Sequence, residues 1–180
     1  MAANLILNLP EFCARAATLE GEFAPQAFSR LHAELVGIET GRWRVAGRLA
    51  ARHELPEFAG LPVLELTIEA VFQVACVRCL EPVRVELSVD QAFVALASEA
   101  AADDALAEDE RFDAIVSSTH FDLAALIEDE ALMALPSQPH HERCSAQALA
   151  ALGLKPGEEG VMLQAPKDNP FAVLQALKKH

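Results

Sequence analysis

Apolar and polar positions change rhythm along this chain, and the changes mark its elements. Residues 10–19 and 25–36 carry apolar side chains at helical spacing, each stretch opening on a proline suited to a first helical turn. The period then drops to two. Over residues 42–52, Arg42, Arg44, Arg48 and Arg52 fall on one face, and Trp43, Val45 and Leu49 on the other. A loop bearing Pro56, Gly60 and Pro62 leads into a second alternating run, where Leu64, Leu66, Ile68 and Phe72 oppose Glu65, Thr67 and Glu69. A third run over residues 83–90 is apolar at its odd positions. Three consecutive amphipathic strands with turn signals between them predict an antiparallel meander with one face packed and one wet.

Beyond the third run the pattern weakens. Residues 99–113 are alanine-rich and hold seven acids against one base, which predicts a solvated acidic loop. A short apolar run at 112–116 suits another strand. Thr119 or Asp122 then caps a helix over Leu123, Leu126, Ile127, Ala131 and Ala134, stopped by Pro136. Residues 136–166 are mostly irregular, apart from a short helix at 145–152. Asn169 as cap, Pro170 behind it, and Lys178 and Lys179 at the end predict a helix over 169–179. The expected architecture is one α+β domain over residues 1–180: a β-meander packed with helices, an acidic loop insertion, and an extended region from 136 ending in a C-terminal helix.

Composition narrows the function classes. The 180 residues carry 14 Lys plus Arg against 27 Asp plus Glu, a net charge of −13, and 52% are hydrophobic. Such a chain buries a real core, so wholesale disorder is excluded. The charge disfavours a broad grip on duplex nucleic acid, whose affinity comes from Lys and Arg displacing counterions, and equally a grip on an anionic membrane. The N-terminal stretch has no basic region and too short an apolar run for a secretory signal, and no run is long enough to span a bilayer. A soluble cytoplasmic domain is expected.

Of the four cysteines, Cys13 sits in a helix-like stretch and reads as a core filler. Cys76-x-x-Cys79 admits three readings. A thioredoxin-type redox pair opens a helix after a strand, whereas here Pro82 and a new alternating run follow directly, placing the pair in a strand-to-strand turn. Such a turn suits half a zinc knuckle, because both thiolates reach one ion. The remaining ligands would come from His140-His141-Glu-Arg-Cys144: Cys144 and one histidine, His140 first and His141 as the alternative. A closed site of that kind is structural, not catalytic. The third reading is two idle thiols beside a surface loop.

The arginines Arg42, Arg44, Arg48 and Arg52 form the candidate RNA surface, since guanidinium groups hold phosphates bidentately. Against this, Glu65 and Glu69 on the next strand are placed to consume them in cross-strand ion pairs. Aromatics for base stacking are missing from that face. Asp122, Glu128, Asp129 and Glu130 fan too widely around a helix to converge on one ion and read as a solvated face. No nucleophile elbow, phosphate loop, HExxH or dinucleotide fingerprint occurs, so an enzyme, or a small-molecule substrate, is not expected.

Several pieces line up as one pattern. Cys76-Val-Arg-Cys79-Leu-Glu-Pro82 precedes a strand, and Phe121-Asp-Leu-Ala-Ala-Leu-Ile-Glu-Asp-Glu130 runs into Ala134-Leu-Pro136. Pro139-His140 follows near Cys144, and Asn169-Pro-Phe-Ala-Val-Leu-Gln-Ala-Leu-Lys178 closes the chain. In that order the sequence resembles the YceD family, the large ribosomal RNA subunit accumulation proteins of bacteria, from about the second strand to the C-terminus. The resemblance implies a cytoplasmic, non-enzymatic factor supporting synthesis, processing or stability of 23S ribosomal RNA, with no catalytic residues to carry over. Members with a second cysteine pair after the helix imply a metal knuckle; here Cys144 and the histidines stand in that place.

Two function classes follow. One is a factor for large-subunit assembly, meeting ribosomal precursor particles or basic ribosomal proteins. Phe171, Leu174 and Leu177 are then a docking stripe on the terminal helix, unless that helix packs on its own core. The other is a thiol-redox or zinc-sensing protein using Cys76 and Cys79. Because six of the thirteen net negative charges sit in residues 99–113, the chain is acidic by patch, and an acidic arm suits cationic protein neighbours.

Overall fold

A computed structural model of the protein describes residues 5–108 and 113–154. In chain order the elements are β1 (Ile6–Leu7), α1 (Leu9–Ala14), β2 (Thr18–Glu22), α2 (Ser29–Glu34), β3 (Leu35–Leu49), β4 (Pro62–Ala75) and β5 (Pro82–Leu96). These are followed by α3 (Glu99–Glu108), β6 (Asp113–Val116), β7 (Phe121–Asp122), α4 (Leu123–Ala134) and α5 (Ala146–Ala151). The fold is α+β. A five-stranded sheet runs in the order β2-β3-β4-β5-β6; its first four strands form an antiparallel meander, and β6 joins parallel to β5. β1 and β7 pair separately as a small antiparallel ribbon.

The alternation read from the sequence decides which sheet face is buried. Trp43 and Val45 of β3, Leu64, Leu66, Ile68 and Phe72 of β4, and Leu87 and Phe93 of β5 face one core, closed by Leu9 and Cys13 of α1, Leu31 of α2, and Leu123, Ile127 and Ala131 of α4. Cys13 is the filler expected, with its thiol against the carbonyl of Val63 at 3.3 Å. The Asp122 carboxylate caps α4 by accepting from the Ala125 N–H at 3.0 Å. Ser145 caps α5, which falls inside the short helix predicted at 145–152.

Four local expectations are corrected. The first predicted helix stops at Ala14: Ala16 turns into positive φ, and the chain returns as edge strand β2. There Gly21 leaves room for the indole of Trp43, which a Cβ would meet at 2.6 Å. The second predicted helix shrinks to Ser29–Glu34, because Leu35, Gly37 and Ile38 enter β3 in extended pairing with β4. β3 itself ends at Leu49, so Arg52 lies in the following turn, off the arginine-bearing face; Leu49, beyond the end of the core, is 46% exposed.

The fourth correction concerns the acidic segment, which is helical over Glu99–Glu108. Ala102 and Ala105 pack on Val63, Val94 and Leu96, covering one end of the otherwise wet sheet face while Asp103 and Asp104 point to solvent. Two alanines are enough to seat this crossover, since alanine has high helix propensity and lets the backbone come close. Residues 109–112 and the predicted terminal helix at 169–179, with Phe171, Leu174 and Leu177, lie outside the described residues.

Candidate metal centre

The β4–β5 connection is a tight turn built around Cys76 and Cys79. The N–H of Cys76 donates to the carbonyl of Glu81 at 2.9 Å, and that of Leu80 to the carbonyl of Cys76 at 2.9 Å. Leu80 takes a left-handed φ of 61° to close it. Pro136 ends α4, and the chain folds back so that the carbonyl of Pro139 receives the N–H of Val77 at 2.9 Å. That return brings His141 and Cys144 beside the turn. The Sγ atoms of Cys76, Cys79 and Cys144 and a ring nitrogen of His141 all lie within 4.8 Å of one another. Such a group can hold a metal ion.

Two distances test the fit. Tetrahedral zinc, with Zn–S of about 2.3 Å and Zn–N of about 2.0–2.1 Å, requires S···S edges of about 3.8 Å and S···N edges of about 3.5 Å. Cys76 Sγ lies 3.8 Å from Cys144 Sγ, and Cys79 Sγ lies 3.5 Å from His141 Nδ1. The thiols are too far apart for a disulfide, which needs about 2.0 Å.

The histidine is oriented for the same role. His141 Nε2 donates to the carbonyl of Pro82 at 3.0 Å; a carbonyl only accepts, so a proton sits on Nε2, and Nδ1, which faces the thiols, is the nitrogen placed to ligate. His140, the first choice from sequence, is not in the group. Its Nδ1 donates instead to the carbonyl of Gln138 at 2.8 Å. Adjacent side chains in an irregular segment point in different directions, so the sequence, which put His140 first, had no means of telling which of the two turns toward the thiols.

Electrostatics follow from crowding three thiols together. Burial works against the Cys76 thiolate, yet N–H groups of His141, Arg78 and Cys79, with the Cys79 thiol, outweigh it and bring Cys76 down to about 5. Burial and the neighbouring Cys79 and Cys76 thiols push Cys144 up to about 11. One thiolate forms readily and opposes the others, a conflict that a divalent cation removes. Around the group, Ala148 and Leu149 of α5 pack on Cys76, Cys79 and Val83.

Elsewhere, Arg42 and Arg48 are engaged as the cross-strand reading expected. Arg42 meets Glu69 at 3.5 Å, and Arg48 meets Glu65 at 2.6 Å and Glu54 at 3.0 Å. Arg44 stands on the same face between Glu20 of β2 and Thr67 of β4. The supposedly solvated acids of α4 do not all face water. Glu128 is buried, and its carboxylate accepts from the Leu31 N–H at 3.0 Å and from Arg30 Nε at 2.8 Å. The signal was present in the spacing: three consecutive acids span so much of a helix that one of them must border the buried stripe.

A family model described as "Large ribosomal RNA subunit accumulation protein YceD" matches residues 64–178. The chain belongs to the YceD family. That match begins within β4 and takes in both halves of the candidate metal-binding group. No curated protein and no solved structure matches the chain. Among the described residues of this YceD-family chain, no helix is long and apolar enough to cross a membrane.

Proposed function

We propose that this protein supports the accumulation of 23S ribosomal RNA as a non-enzymatic cytoplasmic factor for the large subunit, and that Cys76, Cys79, His141 and Cys144 hold one structural zinc ion. The observation that carries the functional reading is the family match, which spans most of the meander's second half, α4 and the metal group. The zinc reading stands on the two tetrahedral edges and on the imidazole orientation. All four ligand positions come from the protein, leaving no open position for a substrate, as in structural zinc sites.

Protein contacts suit the charge distribution better than a broad RNA grip. The clefts on the open sheet face are lined by Glu20, Glu22, Glu39, Glu69 and Glu86 alongside Arg42 and Arg44. With Arg42 and Arg48 already neutralised by carboxylates, this face favours cationic partners such as basic ribosomal proteins. The deciding experiment is depletion of the protein followed by quantifying mature 23S against 16S ribosomal RNA. A fall in the ratio, restored by the wild-type gene, supports the reading; an unchanged ratio sinks it. The thiol-redox alternative predicts rapid alkylation of Cys76 in the protein as purified, unchanged by a chelator, whereas a zinc site predicts protection that is lost on chelation.

A further inference from the structure

We infer that the Cys76–Cys79–His141–Cys144 group is a clasp: its metal state decides whether residues 137–154 are docked on the sheet or released, while the sheet itself stays folded. This rests on the zinc reading above and goes beyond it, because a structural metal in a small domain more often sustains the whole fold.

The ligands come from two places that little else connects. Cys76 and Cys79 belong to the β4–β5 turn, while His141 and Cys144 belong to the segment after α4. Without a metal the described attachments of that segment are few. Apart from contacts within the ligand group itself, such as the His141 N–H to the Cys76 sulfur, they include the Val77 N–H to the Pro139 carbonyl, His141 Nε2 to the Pro82 carbonyl at 3.0 Å, and the Ser145 hydroxyl to the Glu81 carboxylate at 3.1 Å. The last two are solvent-exposed. The apolar contribution of α5 is Ala148 and half-buried Leu149, packed on the cysteines themselves and on Val83. None of these residues joins the main core or the cluster beneath α3. Ordering a mostly irregular segment carries a conformational entropy cost that exposed hydrogen bonds and one small apolar contact do not offset.

The sheet, in contrast, does not depend on the clasp. β4 and β5 pair through their full length from Val63↔Val94 to Ala75↔Pro82, and Trp43, Leu66, Ile68 and Phe72 are buried by α1, α2 and α4. Opening the clasp would therefore uncover Cys76, Cys79 and Val83. It would also remove one wall, Pro139, from the groove lined by Val74, Val77, Leu132 and Leu135.

The test uses the full-length chain loaded with one zinc ion, verified by native mass spectrometry, and follows amide hydrogen exchange before and after chelation. Peptides covering 76–82 and 137–154 should exchange faster by more than about a hundredfold, while those covering 63–74 and 84–95 keep their protection. Emission from Trp43, the single tryptophan, should not move. Cys144→Ser should produce the same release without a chelator. Unchanged exchange over 137–154 in verified metal-free protein would overturn the clasp, since other contacts then hold the segment. Exchange spreading through the sheet with a shift in Trp43 emission would overturn it in the other direction, while leaving zinc binding intact. A chain that binds no zinc at all removes the zinc reading and the clasp with it.

Discussion

Glu128 caps a helix to which it does not belong: from α4, its Oε1 accepts the backbone N–H of Leu31 at 3.0 Å, in the first turn of α2. The α2 N-cap residue, Phe28, offers no side-chain acceptor, so the carboxylate supplies from across the core what a Ser or Asp supplies locally. The charge also faces the positive end of the helix and the Arg30 guanidinium at 2.8 Å. Glu128→Ala leaves the buried Leu31 N–H without its partner and should destabilise the protein by about 2 kcal/mol. Glu128→Gln keeps an acceptor and should lose roughly half as much. Urea unfolding followed by Trp43 emission measures both; equal losses would mean the backbone cap contributes nothing.

The same carboxylate gives a defined acid limb. Burial pushes Glu128 up, but the Leu31 N–H and Arg30 outweigh burial and hold it below its ordinary value of 4.5. A depressed carboxylate contributes stability that is complete above the unfolded-state value and disappears as pH falls through the folded one. The gap between wild type and Glu128→Gln should therefore be constant near neutral pH and shrink below about pH 4.5. A gap unchanged at about pH 3 would show that the charge is not its source.

How much was legible in the sequence differs by element. Period-two alternation identified β3, β4 and β5, because a strand with one wet face must alternate over its length. The edge strand β2 was missed, its first two residues read as the end of a helix and the rest left unassigned, because only Leu19 and the gap at Gly21 mark its pairing, and those matter only once Trp43 is in place. The helix α3 was missed because its buried stripe is two alanines among acids. Three of the four candidate ligands, Cys76, Cys79 and Cys144, were named from spacing, and the fourth was placed first on His140 with His141 as the alternative. Glu128 was invisible as a cap because its partner lies on an element nearly a hundred residues earlier.

Gly47 supplies a test of packing between α1 and the sheet. A Cβ there would lie 2.6 Å from the Phe12 ring and 2.9 Å from Cα of Cys13, and the second contact is backbone that a rotamer change cannot relieve. Gly47→Ala should cost about 1–3 kcal/mol as α1 is forced off β3. Gly60→Ala meets no atom within 4 Å, so its loss should be only that of a side chain at φ +87°. Thermal melts of the two variants separate overpacking from backbone strain; a smaller loss for Gly47→Ala than for Gly60→Ala would contradict this packing.

The open sheet face predicts a silent pair of substitutions. Arg42 is an exposed partner of Glu69, and exposed ion pairs contribute little. Arg42→Ala with Arg44→Ala should change stability by no more than about 0.5 kcal/mol each. If the protein acts through protein contacts, a strain carrying both should keep its 23S to 16S ratio. A fall in that ratio with the fold intact would instead make this face an RNA surface.

The two adjacent histidines give the sharpest test of the metal centre. His141 presents Nδ1 at 3.5 Å from Cys79 Sγ, with Nε2 held by the Pro82 carbonyl, while His140 is turned to the carbonyl of Gln138. His141→Ala removes one of four ligands and should weaken zinc affinity by at least the 10–100-fold typical of losing even an outer partner, whereas His140→Ala should leave it within about twofold. Competition with a chromogenic chelator reads both affinities directly. Cobalt substitution adds a geometric readout: the wild type and His140→Ala should share one tetrahedral thiolate spectrum, and His141→Ala should depart from it as water replaces nitrogen. Binding that is lost in His140→Ala and kept in His141→Ala would reverse the assignment. Since the backbone anchor from Val77 to Pro139 precedes both histidines, such a reversal would also require the chain after Pro139 to take a different path.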